Sequence, residues 1–141
     1  MRDTGTGEIQ LIDFEYGGMN YVCFDIANHF NEFAGGTDDS VPKYEQLPDD
    51  GQKRSFIEAY VGRMYELSGR DKTGEGFANE VNGLLNDVEI FMLVNHFYWG
   101  CWGACLAATE GCEVFDYLNY SKNRLAQAKE VMGASYKIMG I

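Results

Sequence analysis

With 141 residues and 15.9 kDa, the chain has the size of one domain, and 45% hydrophobic with 14% aromatic residues is enough for a core, which excludes a disordered chain. Against 22 acidic residues stand 11 lysines and arginines, a formal charge of −11, so the basic face that nucleic-acid phosphates or anionic membrane surfaces require is missing. Two prolines, no heptad run and no biased tract exclude collagen-like, coiled-coil and low-complexity classes.

In chain order, Thr4-Gly5-Thr6-Gly7 is a turn signal, and the β-formers Ile9 to Ile12 follow it, predicting a short hairpin strand that ends near Asp13. Asp13 to Gly18 reads as a loop. Phe24, Ala27, Phe30 and Ala34 recur at helical intervals and predict a short helix over 24–33. Gly35 to Gly51 is polar, holds both prolines and two Asp-Asp pairs, and reads as a mobile surface loop. A stripe from Phe56 through Ile57, Tyr60, Val61 and Met64 to Leu67 predicts a helix closed by Ser68-Gly69. After a linker over 69–76 comes the longest pattern, running from Val81 and Val88 through Met92, Asn95, Trp99 and Trp102 to Leu106. A last helix is predicted from about Asp116 to Met132, with Leu118, Leu125, Ala128 and Met132 facing the core. The expected fold is a single domain over 1–141, mainly α with a short N-terminal β-hairpin. Because a strand hardly pairs alone, the start of the chain reads as cut from something larger.

Ile90 to Ala108 carries no charge and has the length of a membrane span. Its Asn95, His96, two glycines and acidic flanks favour a buried core helix, with no membrane insertion. Four cysteines could form two disulfides, yet no signal peptide precedes them, so reduced thiols and a cytoplasmic location are expected. Cys101 and Cys105 share a helix face, but no Cys/His framework completes a zinc site, and the cysteines read as small core residues.

Two groupings can carry chemistry. Asp13 and Glu15, at i and i+2 of an extended segment, can face one hard cation such as Mg²⁺; a solvated acidic pair at a strand end has the same spacing. Trp99 with Trp102, and Tyr117 with Tyr120, lie three apart, and Tyr16 and Tyr21 flank the acidic loop. With Glu32 as counter-charge, such rings suit an ammonium group through cation–π attraction, and core packing is the alternative. Asp25, Asn28 and His29 on the short helix read as a hydrogen-bond network holding neighbouring loops, and His96 as a structural histidine. No nucleophile–base arrangement and no phosphate-cradling glycine loop is present.

Leu11-Ile12-Asp13-Phe14-Glu15-Tyr16, then Asn20-Tyr21, then Phe24 to Glu32 (FDIANHFNE), resembles the signature of the choline/ethanolamine kinase family, whose fold is related to that of protein kinases. His96 to Trp102 (HFYWGCW) is similar to the family's aromatic helix, and Phe115 to Tyr120 (FDYLNY) to its C-terminal aromatic stretch. The resemblance runs from about Glu8 to the last helix. It implies that Asp13 and Glu15 hold Mg²⁺, that Tyr16, Glu32, Trp99, Trp102, Phe115, Tyr117 and Tyr120 line an amine pocket, and that Asp25 supports the catalytic loop. It also implies ATP as co-substrate and a phosphoryl transfer to the hydroxyl of ethanolamine or choline, the first step toward the corresponding phospholipids. The run Asn28 to Gly35 resembles the ethanolamine branch, whereas choline kinases tend to carry Cys and Trp around that glutamate.

The family's catalytic base lies in a His-Asn-Asp loop upstream of the metal-binding aspartate, and neither that loop nor the nucleotide-binding lobe occurs here. Met1 falls about where the strand after that loop should start, so the resemblance places the base upstream of Met1. The chain therefore resembles the C-terminal lobe of such a kinase, with no catalytic base of its own, and is expected to be inactive alone. A homodimeric parent is among the assemblies the resemblance allows. Beside the kinase reading stand two others: a non-catalytic amine-binding or interaction fragment, and an unrelated acidic helical domain.

Overall fold

The computed structural model describes residues 4–10, 15–36 and 38–139, with side chains to residue 133. Four helices carry the fold: α1 (Val22–Asn31), α2 (Asp50–Ser68), α3 (Glu75–Thr109) and α4 (Tyr117–Met139), with short 3-10 turns at Glu32–Ala34 and Tyr44–Gln46. The predicted N-terminal hairpin is not seen among the described residues. Ile9 is an isolated bridge position, and residues 11–13 of the expected strand lie outside those described, as does Met1. A strand needs a partner edge, and the described residues supply none.

The helix boundaries follow local chemistry. Asp49 caps α2 by accepting from the Gln52 amide at 2.8 Å, while the Gln52 side chain accepts from the Asp49 amide at 2.9 Å, a reciprocal capping box. Gly69, at φ 65°, ends the helix in the left-handed conformation.

The spine is α3, against which α1, α2 and α4 all pack. Ile26, Ala27 and Phe30 of α1, Ile57, Val61 and Tyr65 of α2, and Val81, Val88 and Met92 of α3 form the core. By length and apolar composition α3 could cross a membrane. It is not buried all round, as a core helix was expected to be: Val88, Met92, Asn95 and His96 face inward, while Ile90, Val94 and Phe97 are exposed on the other side.

Small residues set the α3–α4 crossing. A Cβ on Gly100 would lie 2.7 Å from the Leu125 side chain, and one on Gly103 would lie 3.0 Å from the Tyr117 carbonyl oxygen. Ser121 Oγ donates to the Gly100 carbonyl at 2.7 Å across the same contact. This close approach brings the aromatic end of α3 against the start of α4.

Three expectations need correction. The 35–51 segment was expected to be a mobile surface loop, but Ser40, Pro42 and Pro48 are buried in it and its last two residues begin α2. Ser40, a non-glycine at φ 58°, accepts side-chain hydrogen bonds from Asn119 and Asn123 of α4, and Tyr44 donates to the Asn123 carbonyl. These bonds offset the strained backbone and lay the loop along α4. Of the cysteines, Cys23 is in the core, whereas Cys101, Cys105 and Cys112 are exposed, because their side of α3 and the turn after it face away from the packed helices. On α4, Leu118 is exposed, and the buried face is Tyr120, Ser121, Arg124 and Ala128. A positive charge thus sits where an apolar stripe was expected.

Candidate functional site: an aromatic cavity with a carboxylate

A cavity of about 1240 Å³ opens between the N-terminal loop, α1, the end of α3 and the start of α4. All the residues of the expected amine pocket line it. Tyr16 comes from the loop, Glu32 from the turn after α1, Trp99 and Trp102 from α3, and Phe115, Tyr117 and Tyr120 from the α3–α4 connection and α4. Glu15 and Asp25 line it as well.

The rings form one continuous edge-to-face array. Trp99 and Trp102 have centroids 5.3 Å apart at 80°, as their spacing on one helix face requires. Tyr16 stands 5.7 Å from Trp99 and 6.4 Å from Trp102, and donor and acceptor meet where Trp102 Nε1 donates to the Tyr16 hydroxyl at 3.1 Å. On the other side Tyr117 lies 5.5 Å and Tyr120 6.1 Å from Trp102, and Phe115 packs on both tyrosines. In a T-shaped pair the ring that contributes its edge keeps its own faces uncovered by that neighbour, and a ring face is the surface that attracts a cation. Tyr21, which the spacing grouped with these rings, also lines the cavity but packs on Phe91, 5.7 Å away.

A chain of amides holds the array. Asn28 Oδ1 accepts from Trp99 Nε1 at 2.6 Å and from Asn95 Nδ2 at 2.9 Å. Asn95 Oδ1 in turn accepts from Asn31 Nδ2 at 2.9 Å and from an Arg124 guanidinium nitrogen at 2.8 Å. Asn31, Asn95 and Arg124 are each 0% exposed. The hydrogen-bond role read for Asn28 is present. Its two companions differ: Asp25 is exposed at the cavity edge, and His29 stacks on Phe56, with centroids 4.9 Å apart. Sequence reasoning missed Asn95 as a hub and Arg124 altogether; the one available signal was two polar residues in register with apolar stripes.

Electrostatically the site is a partly desolvated carboxylate backed by a buried cation. Burial raises the Glu32 pKa, and the Arg124 guanidinium, 3.9 Å away, opposes that rise. Burial also raises the Tyr120 hydroxyl, so it stays neutral, and pushes Tyr44 up to about 12. His96, beside Arg124, is driven down to about 3, first by burial and then by the guanidinium.

For a metal, Glu15 is an exposed carboxylate on the cavity wall, and Asp13, its expected partner, lies outside the described residues. Among the described residues no group of three or more His, Cys, Asp or Glu gathers to hold a metal ion. The chemistry of Glu15 fits one oxygen donor to a hard cation and no more. The catalytic base, expected upstream of Met1, likewise falls outside the described residues, which begin at Thr4.

The chain has relatives among known proteins. The chain is 42% identical to "Ethanolamine kinase 1" of Mus musculus over 122 residues, covering 86% of this chain and 32% of that protein. It is 37% identical to "Probable choline kinase 1" of Arabidopsis thaliana over 131 residues, covering 90% of this chain and 35% of that one. "Ethanolamine kinase 1" of Homo sapiens is 39% identical over 121 residues, 86% of this chain and 25% of the relative. The chain thus spans about a third or less of the length of these curated relatives. No solved structure matches it at a significant level. A family model described as choline/ethanolamine kinase matches residues 1–129, and the chain belongs to that family.

Proposed function

We propose that this chain is the amine-binding and part of the metal-binding portion of an ATP-dependent kinase that phosphorylates the hydroxyl of ethanolamine or choline. The observation that carries the reading is the cavity itself, in which Glu32 and six aromatic rings from four segments of the chain surround one space. Rings held edge-to-face offer their negative faces to an ammonium group, and Glu32 supplies the counter-charge. The ammonium would be held there with its hydroxyl directed toward Glu15. Mg²⁺, when bound, neutralises charge on the transferring phosphoryl group; on this chain Glu15, with Asp13 expected beside it, would supply its oxygen ligands. The base and the nucleotide site are expected upstream of Met1, from sequence of the kind the longer relatives carry.

Fusion of this chain to the part of the mouse relative that it does not match is expected to supply those parts. Incubated with ATP, Mg²⁺ and equal ethanolamine and choline, the fusion should yield a phosphomonoester by ³¹P NMR, and its identity gives the preferred amine. The run Asn28 to Gly35 resembles the ethanolamine branch, so phosphoethanolamine is expected to dominate. A folded fusion that binds amine without forming either product would support an amine-binding fragment instead.

A further inference from the structure

A fully buried guanidinium is costly unless it is paired, and an apolar side chain of similar volume would serve packing better. Arg124 is 0% exposed, donates from one terminal nitrogen to Asn95 Oδ1 at 2.8 Å, and leaves Nε and the other terminal nitrogen without a hydrogen-bond partner. That second nitrogen lies 3.9 Å from Glu32 Oε1, inside ion-pair range and beyond hydrogen-bond length. The guanidinium carbon is 5.6 Å from the Tyr120 ring centroid. The cation therefore sits one layer behind two cavity-lining residues, and Glu32 is the one described carboxylate within ion-pair distance of it.

We infer that Arg124 is a positioning residue that keeps the Glu32 carboxylate ionised and presented to the cavity, where it meets the ligand's ammonium group. The inference rests on the amine-binding reading and adds to it a residue that touches no ligand. The surroundings fit it. Burial works against ionisation of Glu32, and Arg124 is the group that opposes it. The other charged or titratable groups do not help: Asp25 from α1 and Glu15 from the loop add negative charge to the same cavity. Tyr120 from α4 is neutral, and so is His96 from α3, which flanks Arg124. With Arg124 removed, no other charged group on the described elements offsets the partial burial of the Glu32 carboxylate, whose side chain is 45% exposed.

Trp99 and Trp102 are the chain's two tryptophans, so intrinsic fluorescence reads the cavity directly. Choline is titrated into the chain and its variants at pH 5.5 and pH 8. Arg124→Met should bind severalfold more weakly than the unsubstituted chain at the lower pH and about equally at the higher one, the pattern of a carboxyl whose pKa the guanidinium had been holding down. In a Glu32→Gln background, Arg124→Met should make no further difference. A loss equal at both pH values, or one that persists in Glu32→Gln, overturns the inference. A second measurement needs no arginine variant: the Arg124 Nε–H resonance in the unsubstituted chain should move with the titration of Glu32 and stay still in Glu32→Gln. A resonance indifferent to Glu32 overturns the inference even where Arg124→Met does not fold. If the unsubstituted chain binds no choline at either pH, the amine-binding reading itself fails. That result differs from a binding chain whose variants show no pH dependence.

Discussion

His96 couples the fold to acid, and the size of that coupling follows from its surroundings. The ring is 1% exposed, its Nδ1 has no hydrogen-bond partner, and the buried Arg124 cation stands beside it. Burial first and the guanidinium second lower its pKa from 6.5 to about 3. Between those values the unfolded chain binds a proton that the folded chain does not. The stability His96 contributes is therefore fully present above pH 6.5 and is lost as pH falls toward 3. At up to ~1.4 kcal/mol per pH unit, acidification from pH 7 to 4.5 removes about 2–3 kcal/mol through this residue alone, since the unfolded histidine is only half protonated at pH 6.5. That is a large share of the roughly 5–15 kcal/mol that holds a domain together. His96→Phe removes the titration and keeps a ring edge-on to Tyr44, whose centroid lies 5.6 Å away. Urea unfolding followed by far-UV circular dichroism at pH 7 and pH 4.5 measures both proteins. All the carboxylates titrate in both, so the difference between the two pH dependences isolates His96. The variant should lose about 2–3 kcal/mol less than the unsubstituted chain between pH 7 and pH 4.5. Equal losses would refute the reasoning, because they would place the acid sensitivity in the carboxylates.

Other perturbations follow from the packing. Gly103→Ala should destabilise the chain by about 1–3 kcal/mol in urea, because its Cβ would meet the Tyr117 carbonyl oxygen at 3.0 Å. It should also weaken amine binding, since Tyr117 lines the cavity. Asp49→Ala removes a reciprocal cap at the start of α2 and should cost about 1 kcal/mol in the same assay, with amine binding unchanged. Trp102→Ala removes the ring that contacts Tyr16, Tyr117 and Tyr120. By fluorescence of the remaining Trp99, amine affinity should fall about tenfold or more, as expected for loss of a cation–π partner worth ~1–2 kcal/mol.

What could be read from the residues alone was whatever hydrophobic period and spacing encode. The stripe ending at Leu67, the Gly69 stop and the long Val81 to Leu106 pattern correspond to α2 and α3, although of the α2 stripe Ile57 and Val61 are buried while Phe56, Met64 and Leu67 are exposed. The residues assigned to the amine pocket could be grouped because Trp99 and Trp102 share a helix face and the other positions matched a family signature. Their convergence on one cavity needed the α3–α4 crossing at Gly100 and Gly103, which a one-dimensional pattern does not contain. Arg124 was invisible for a physical reason. Arginine is ordinarily a surface residue, and its burial here is made tolerable by Asn95, 29 positions away, by Glu32 and by the Tyr120 ring. The docking of Ser40 on α4 depends on Asn119 and Asn123, whose amides carry no periodic signal. Leu118 misled because the helix start turns it outward, and Cys101 and Cys105 misled because cysteine is so often buried.

The central claim is that the cavity recognises positive charge through ring faces and the Glu32 carboxylate. Choline and 3,3-dimethyl-1-butanol have nearly the same shape and differ in charge, and Trp99 and Trp102 report on either. Titrating both into the chain at pH 8 should show saturable quenching by choline with at least tenfold weaker binding of the neutral isostere, the scale of a cation–π and ion-pair contribution of about 1–2 kcal/mol. Equal affinity for the two would contradict the account and leave the cavity an apolar pocket that takes shape alone.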